Sequence, residues 1–201
     1  MKLNLRKFKE YWNDMYTFAV NGRRPDLGFP GGPQIGSNAW ELLLALLTGA
    51  IRLGEKGKPD LYLETNSIYF EGKSLNFWKI DPNGPRPNRN VEIQYHKKCC
   101  REKLALDLEA YFIFALYEDG YDRVDITMVK PNPQLAEHIY TKGDEKIRKK
   151  IEDPEISKDR CRVTFAYKKY FESHHEVLIK IRNGEISWIN PKYFKETLDD
   201  Q

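Results

Sequence analysis

The sequence predicts an α/β fold, a mixed central β-sheet flanked by helices with an added C-terminal β-hairpin region, on three observations. Helical and strand-like periodicities alternate through the middle of the chain. A strand, a long helix and a strand follow one another between residues 91 and 129, the order of a right-handed parallel crossover. The last third changes to short runs of period two. With 201 residues, 40% hydrophobic and 31% charged, the chain reads as one globular domain, 1–201. Its core spans about 38–130 and its β-rich addition about 155–201.

Residues 2–20 have a helical spacing that puts Leu3, Phe8, Trp12, Met15 and Phe18 on one face. Gly, Pro and Asn break the pattern over 21–38. A second helix is expected from Asn38, whose Asn-Ala-Trp-Glu fits a capping box, to about Leu53; it is apolar nearly all round and therefore buried. Residues 58–75 alternate as a hairpin, 81–90 form a second Gly/Pro/Asn/Arg loop, and 91–96 form a strand. From about Cys100 to Asp119 a long helix is expected, ended by Gly120 and apolar on too many sides for a surface element, so central or half of a dimer interface. A strand at 123–129, a charged helical segment at 133–152, a strand at 160–171 and a hairpin at 177–190 complete the chain. The last turns on Asn183-Gly184, the pair a type I′ turn prefers.

Several classes are set aside by composition. The N-terminus is charged throughout and lacks the apolar stretch of a secretory signal, and the run 42–51 is too short to span a bilayer, so a cytoplasmic protein with no membrane partner is expected. Cys99, Cys100 and Cys161 suggest no disulfide framework. His96 with Cys99 and Cys100, or the His174-His175 pair, lacks the second ligand pair of a zinc finger. A net charge of +3 means that a polyanion has to be met by local clusters of Lys and Arg.

The hairpin at 58–75 carries the chemistry. With its turn centred on Thr65-Asn66, Glu64 opposes Ser67, Tyr62 opposes Tyr69, and Asp60 opposes Glu71. Leu61, Leu63, Ile68 and Phe70 form the apolar face and pin this register, because a slip of one residue drives the acids into the core. Like charges placed opposite each other disfavour a sheet by up to ~1 kcal/mol. A divalent cation compensates that repulsion, and Mg²⁺, held by one or two carboxylates, is the natural one. Lys73, on the face of Glu71, is placed to act on a metal-activated water or on charge building at phosphorus.

Pro59-Asp60, ten residues, then Glu71-Gly72-Lys73 resembles the PD-(D/E)xK nuclease signature. The likeness covers about 38–130 and is greatest to an orthodox type II restriction endonuclease. It implies an αβββαβ core, Mg²⁺, Asp60 and Glu71 as metal ligands and Lys73 as the catalytic lysine. Glu41 takes the place of the acid that many members carry on the preceding helix, as a third catalytic and metal-binding residue, although a capping-box Glu explains it without chemistry. It further implies a homodimer acting on double-stranded DNA, two-fold symmetry matching a palindromic target. Glu92-Ile93-Gln94 with Asp81 is a competing catalytic arrangement. Candidate DNA-binding residues are Arg23, Arg24, Arg86, Asn88, Arg89, Lys97 and Lys98, by the usual pairing of Arg with guanine, Asn with adenine and Lys with phosphate. A structure-specific repair or junction-resolving nuclease and a non-catalytic nucleic-acid-binding module are the alternative functions.

Overall fold

Residues 3–22, 35–78 and 89–194 are described by a computed structural model. In chain order the elements are α1 (Leu5–Asn21), α2 (Ser37–Thr48), β1 (Ile51–Arg52), β2 (Leu61–Leu63), β3 (Ile68–Trp78), β4 (Asn90–His96), α3 (Cys100–Glu109), β5 (Tyr111–Glu118), β6 (Arg123–Val129), α4 (Pro133–Ile147), β7 (Arg160–Ala166), α5 (Tyr167–Tyr170), β8 (His175–Arg182) and β9 (Glu185–Ile189). Seven strands make one mixed sheet in the order β1-β2-β3-β5-β6-β8-β9, while β4 and β7 pair separately. Among the described strands of the large sheet only β3 and β5 run parallel, with β4 and α3 between them in the chain; the other neighbours are antiparallel. The C-terminal hairpin, β8 with β9, continues the central sheet beyond β6.

The stretch expected as one long helix, 100–119, is instead a ten-residue helix followed by the central strand. Ala110 is extended, with φ −74° and ψ 147°, and ends α3. Beyond it, Tyr-Phe-Ile-Phe-Ala-Leu-Tyr-Glu is the aromatic-rich composition that favours a pleated strand. It is apolar all round because β5 is covered on both faces, as a strand in parallel pairing usually is. Ile113 and Ala115 enter the core under α1 and α2; Phe112, Phe114 and Leu116 enter a second core formed with α3, α4, β4 and β7. The parallel crossover thus ends at 111–118, and strand 123–129 returns antiparallel to it.

Other local departures have simple causes. In α1 the buried residues are Phe8, Trp12, Met15 and Ala19, a clean 3.6-residue stripe, which leaves Phe18 at 64% exposure on the flank. The N-cap of α2 is Gly36, so no Asn38 capping box forms; Asn38 lies inside the helix and its Oδ1 accepts from Arg52 Nη2 at 3.2 Å. Gly49, in the left-handed region at φ 71°, stops α2 at Thr48 rather than near Leu53. Strand β7 ends at Ala166, where the chain turns into α5 instead of running on to 171.

The C-terminal hairpin turns on Asn183 and Gly184, both at positive φ, 51° and 84°, as a type I′ turn requires. Helix α1 locks this turn. Trp12 Nε1 donates to the Gly184 carbonyl at 2.7 Å, and a Cβ at Gly184 would lie 2.2 Å from the Tyr16 ring. Among the described residues no helix is long and apolar enough to cross a membrane.

Candidate active site

The β2–β3 register is the one its apolar pattern requires: Leu61 opposes Phe70, Tyr62 opposes Tyr69 and Leu63 opposes Ile68. A single helical turn over Glu64–Asn66, closed by Ser67 in the left-handed region, makes the connection. Leu61 and Phe70 are fully buried beneath α2. On the opposite face the Tyr62 and Tyr69 rings meet with centroids 4.7 Å apart. Just before β2, Asp60 Oδ2 accepts from the Gly72 amide at 3.1 Å, and the Asp60 carbonyl accepts from Leu53 N at 3.1 Å. Asp60 is therefore fixed beside Glu71 by backbone contacts on both sides.

Lys73 stands between the two acids. Its Nζ lies 2.8 Å from Asp60 Oδ2 and 2.8 Å from Glu71 Oε1. The sequence does not foretell what lies behind them. Lys103, from α3, places Nζ 2.8 Å from Glu71 Oε2 and 3.0 Å from Asp107 Oδ1, and Tyr95 of β4 donates to Asp107 Oδ2 at 2.9 Å. Asp60, Lys73, Glu71, Lys103, Asp107 and Tyr95 thus form one continuous polar chain. Glu71 and Asp107 are each 1% exposed and Lys103 5%, so most of it is sealed from water. A signal was present: Lys103 and Asp107 are opposite charges one turn apart on α3, the spacing of a helical ion pair.

The electrostatics follow from burial and these contacts. Burial pushes the Glu71 carboxyl up, but Lys103 and then Lys73 outweigh it and bring it down to about 2. Burial, and then the neighbouring Glu71, push Asp60 above the usual carboxylate range against the pull of Lys73. Asp107 is driven up to about 7, first by burial and then by Glu71. Burial alone would depress Lys73; Glu71 and Asp60 overcome it and hold the ammonium above its ordinary value. In this state Lys73 is a cation, suited to stabilising negative charge and not to taking a proton.

A cavity of about 490 Å³ opens over these groups. Its lining includes Glu41, Asp60, Glu71, Lys73 and Lys103 together with Glu92, Gln94, His96 and Arg162. Glu41 of α2 shares the cavity but is held by Arg52 Nη2 at 2.7 Å. Glu92 and Gln94, the competing catalytic pair, belong to the separate β4–β7 ribbon and line the same cavity as Asp60 and Glu71. Asp81 lies outside the described residues, as do Arg23, Arg24, Arg86 and Asn88. Arg89 is turned onto Phe77, donating to its carbonyl at 3.4 Å with the guanidinium 5.7 Å from the ring centroid. Lys97 and Lys98 are exposed in the turn between β4 and α3. His175 pairs with the Tyr167 hydroxyl at 2.9 Å, and among the described residues no group of three or more His, Cys, Asp or Glu gathers as metal ligands.

The donor set nevertheless suits a hard divalent cation. Two carboxylate oxygens, Asp60 Oδ2 and Glu71 Oε1, already converge on one cationic centre, the Lys73 ammonium. Asp60 Oδ1 accepts no hydrogen bond from a described residue. The sequence matches no protein-family profile and no curated protein.

Proposed function

We propose that this chain is a Mg²⁺-dependent deoxyribonuclease that hydrolyses phosphodiester bonds of double-stranded DNA at specific sites, a type II restriction endonuclease acting as a cytoplasmic homodimer. The observation that carries the reading is the convergence of Asp60 and Glu71 on Lys73 at the floor of a charged cavity. From α2 the elements run α2-β1-β2-β3-β4-α3-β5, with β3 parallel to β5 and β4 outside the large sheet, an order that supports an αβββαβ core of the restriction-endonuclease kind with β4 inserted before α3.

Asp60 and Glu71 would hold the metal, with Glu41 as a further acid in reach of the same cavity. Bound there, Mg²⁺ supplies Lewis acidity and a water of lowered pKa. Lys73, kept protonated by its neighbours, offers its ammonium to the negative charge that grows on the phosphoryl oxygens. Lys103 holds the far oxygen of Glu71 and so fixes which oxygen faces the cavity.

Digestion of a mixed-sequence plasmid with Mg²⁺ and with EDTA tests this directly. Discrete bands that need Mg²⁺, and that vanish for Asp60→Ala, are expected. Asp60→Ala should retain duplex binding in EDTA. Cleavage of branched substrates alone would point to a junction-resolving enzyme, and equal cutting by wild type and Asp60→Ala would overturn the site.

A further inference from the structure

We infer that the β4–β7 ribbon is the element that reads the duplex, entering the DNA major groove with Gln94, Arg160 and Arg162. This rests on the nuclease reading for the identity of its partner. The ribbon is a two-stranded antiparallel sheet of its own, fully paired from Asn90 with Ala166 to His96 with Arg160. One face is turned inward: Val91, Ile93, Tyr95, Cys161, Val163 and Phe165 are buried in the second core. The other face carries three polar rungs, Glu92 with Thr164, Gln94 with Arg162 and His96 with Arg160. A major groove about 12 Å wide admits a two-stranded ribbon of this kind.

Three observations favour DNA as the occupant. Gln94, His96 and Arg162 line the cavity that holds Asp60, Glu71 and Lys73, so reader and carboxylates face one space. The side chains are of the types that recognise base edges, Arg forks for guanine and a carboxamide for adenine. The charge is complementary: exposed Lys97 and Lys98 follow β4, Lys168 and Lys169 follow β7, and with Arg160 and Arg162 these six cations outnumber Glu92 and Asp159 by four. The reading groups are also held in place. Arg162 Nη1 lies 3.3 Å from Glu92 Oε2, and with its amide oxygen toward Arg160, Gln94 accepts from Nη1 at 3.0 Å and from Nε at 3.2 Å.

The test is binding of a randomised duplex pool in EDTA, followed by sequencing of the retained DNA, for wild type, Gln94→Ala, Arg162→Ala and Lys98→Ala. Gln94→Ala and Arg162→Ala should weaken binding to the preferred site roughly 10- to 100-fold and relax the sequence at one position, leaving affinity for unrelated duplex nearly unchanged. Lys98→Ala should weaken all duplexes alike and reduce the salt dependence. An unchanged preferred sequence in both Gln94→Ala and Arg162→Ala overturns the inference while leaving Mg²⁺-dependent cutting intact. Absence of cutting by wild type overturns the nuclease reading alone, since the ribbon is still judged by its EDTA binding. Retention of branched or single-stranded DNA in preference to duplex overturns the ribbon's role.

Discussion

The two hairpins, β2–β3 and β8–β9, are built by the same period-two pattern and put to opposite uses. The second has the turn its strands prefer, leaves Glu185 and Ser187 exposed, and is bolted to α1 through Trp12 and Gly184. The first carries two acids and a lysine on one face, and Glu71 is buried more completely than many of the protein's apolar side chains. Local preference and global fold agree in β8–β9, whereas in β2–β3 the fold holds together groups that would separate in water. Such local conflict is expected at sites that do chemistry.

The sharpest way to break the contrast is to remove one acid from each hairpin. Glu71→Ala leaves Lys73 and Lys103 short of a counter-charge in a dry site and should cost about 3–5 kcal/mol by urea unfolding, as well as abolishing cleavage. Glu185→Ala should lie within about 0.5 kcal/mol of wild type. Lys73→Ala takes the ammonium out from between Asp60 and Glu71, and cleavage rates with Mg²⁺ should fall roughly 10²- to 10³-fold. Gly184→Ala probes the structural hairpin, placing a methyl group against Tyr16 at a left-handed position. A loss of about 1–3 kcal/mol is expected in thermal unfolding, with cleavage at permissive temperature retained.

A further effect is a slope. Asp107 titrates near 7 in the fold and near 3.8 in the open chain, so the folded form takes up more protons between these values. Its stabilisation is complete below about 3.8 and disappears as the pH rises through about 7. Glu71 works in the opposite sense, its contribution being present above 4.5 and lost as the pH falls toward 2. Metal-free protein should therefore lose stability from pH 4 to 7, and Asp107→Asn should flatten that dependence in urea titrations.

Those two hairpins also mark what a sequence reveals. Leu61, Leu63, Ile68 and Phe70 settle one register, and Asn183-Gly184 sets the other turn, because both are local and of short period. The split of 100–119 was hidden because a strand buried on both faces has no polar side, so its periodicity cannot be told from that of a buried helix. The pairing of β4 with β7 joins residues about seventy apart, and no local pattern names a strand's partner. Lys103 and Asp107 carry the spacing of a helical ion pair, but nothing local joins them or Tyr95 to Glu71. Each is ordinary on its own element, and only the crossover brings α3 and β4 up to Glu71.

Because β5 is sandwiched, the molecule has two interiors with hardly any shared side chains. Helix α1 and the inner face of α2 cap one and the ribbon belongs to the other, while Trp40 and Glu41 of α2 reach the spaces beside Lys73. Substitutions far apart and without common neighbours add independently. A hardened, heat-tolerant version is therefore best sought around Phe8, Trp12 and Ile181, on the side of the sheet away from the ribbon.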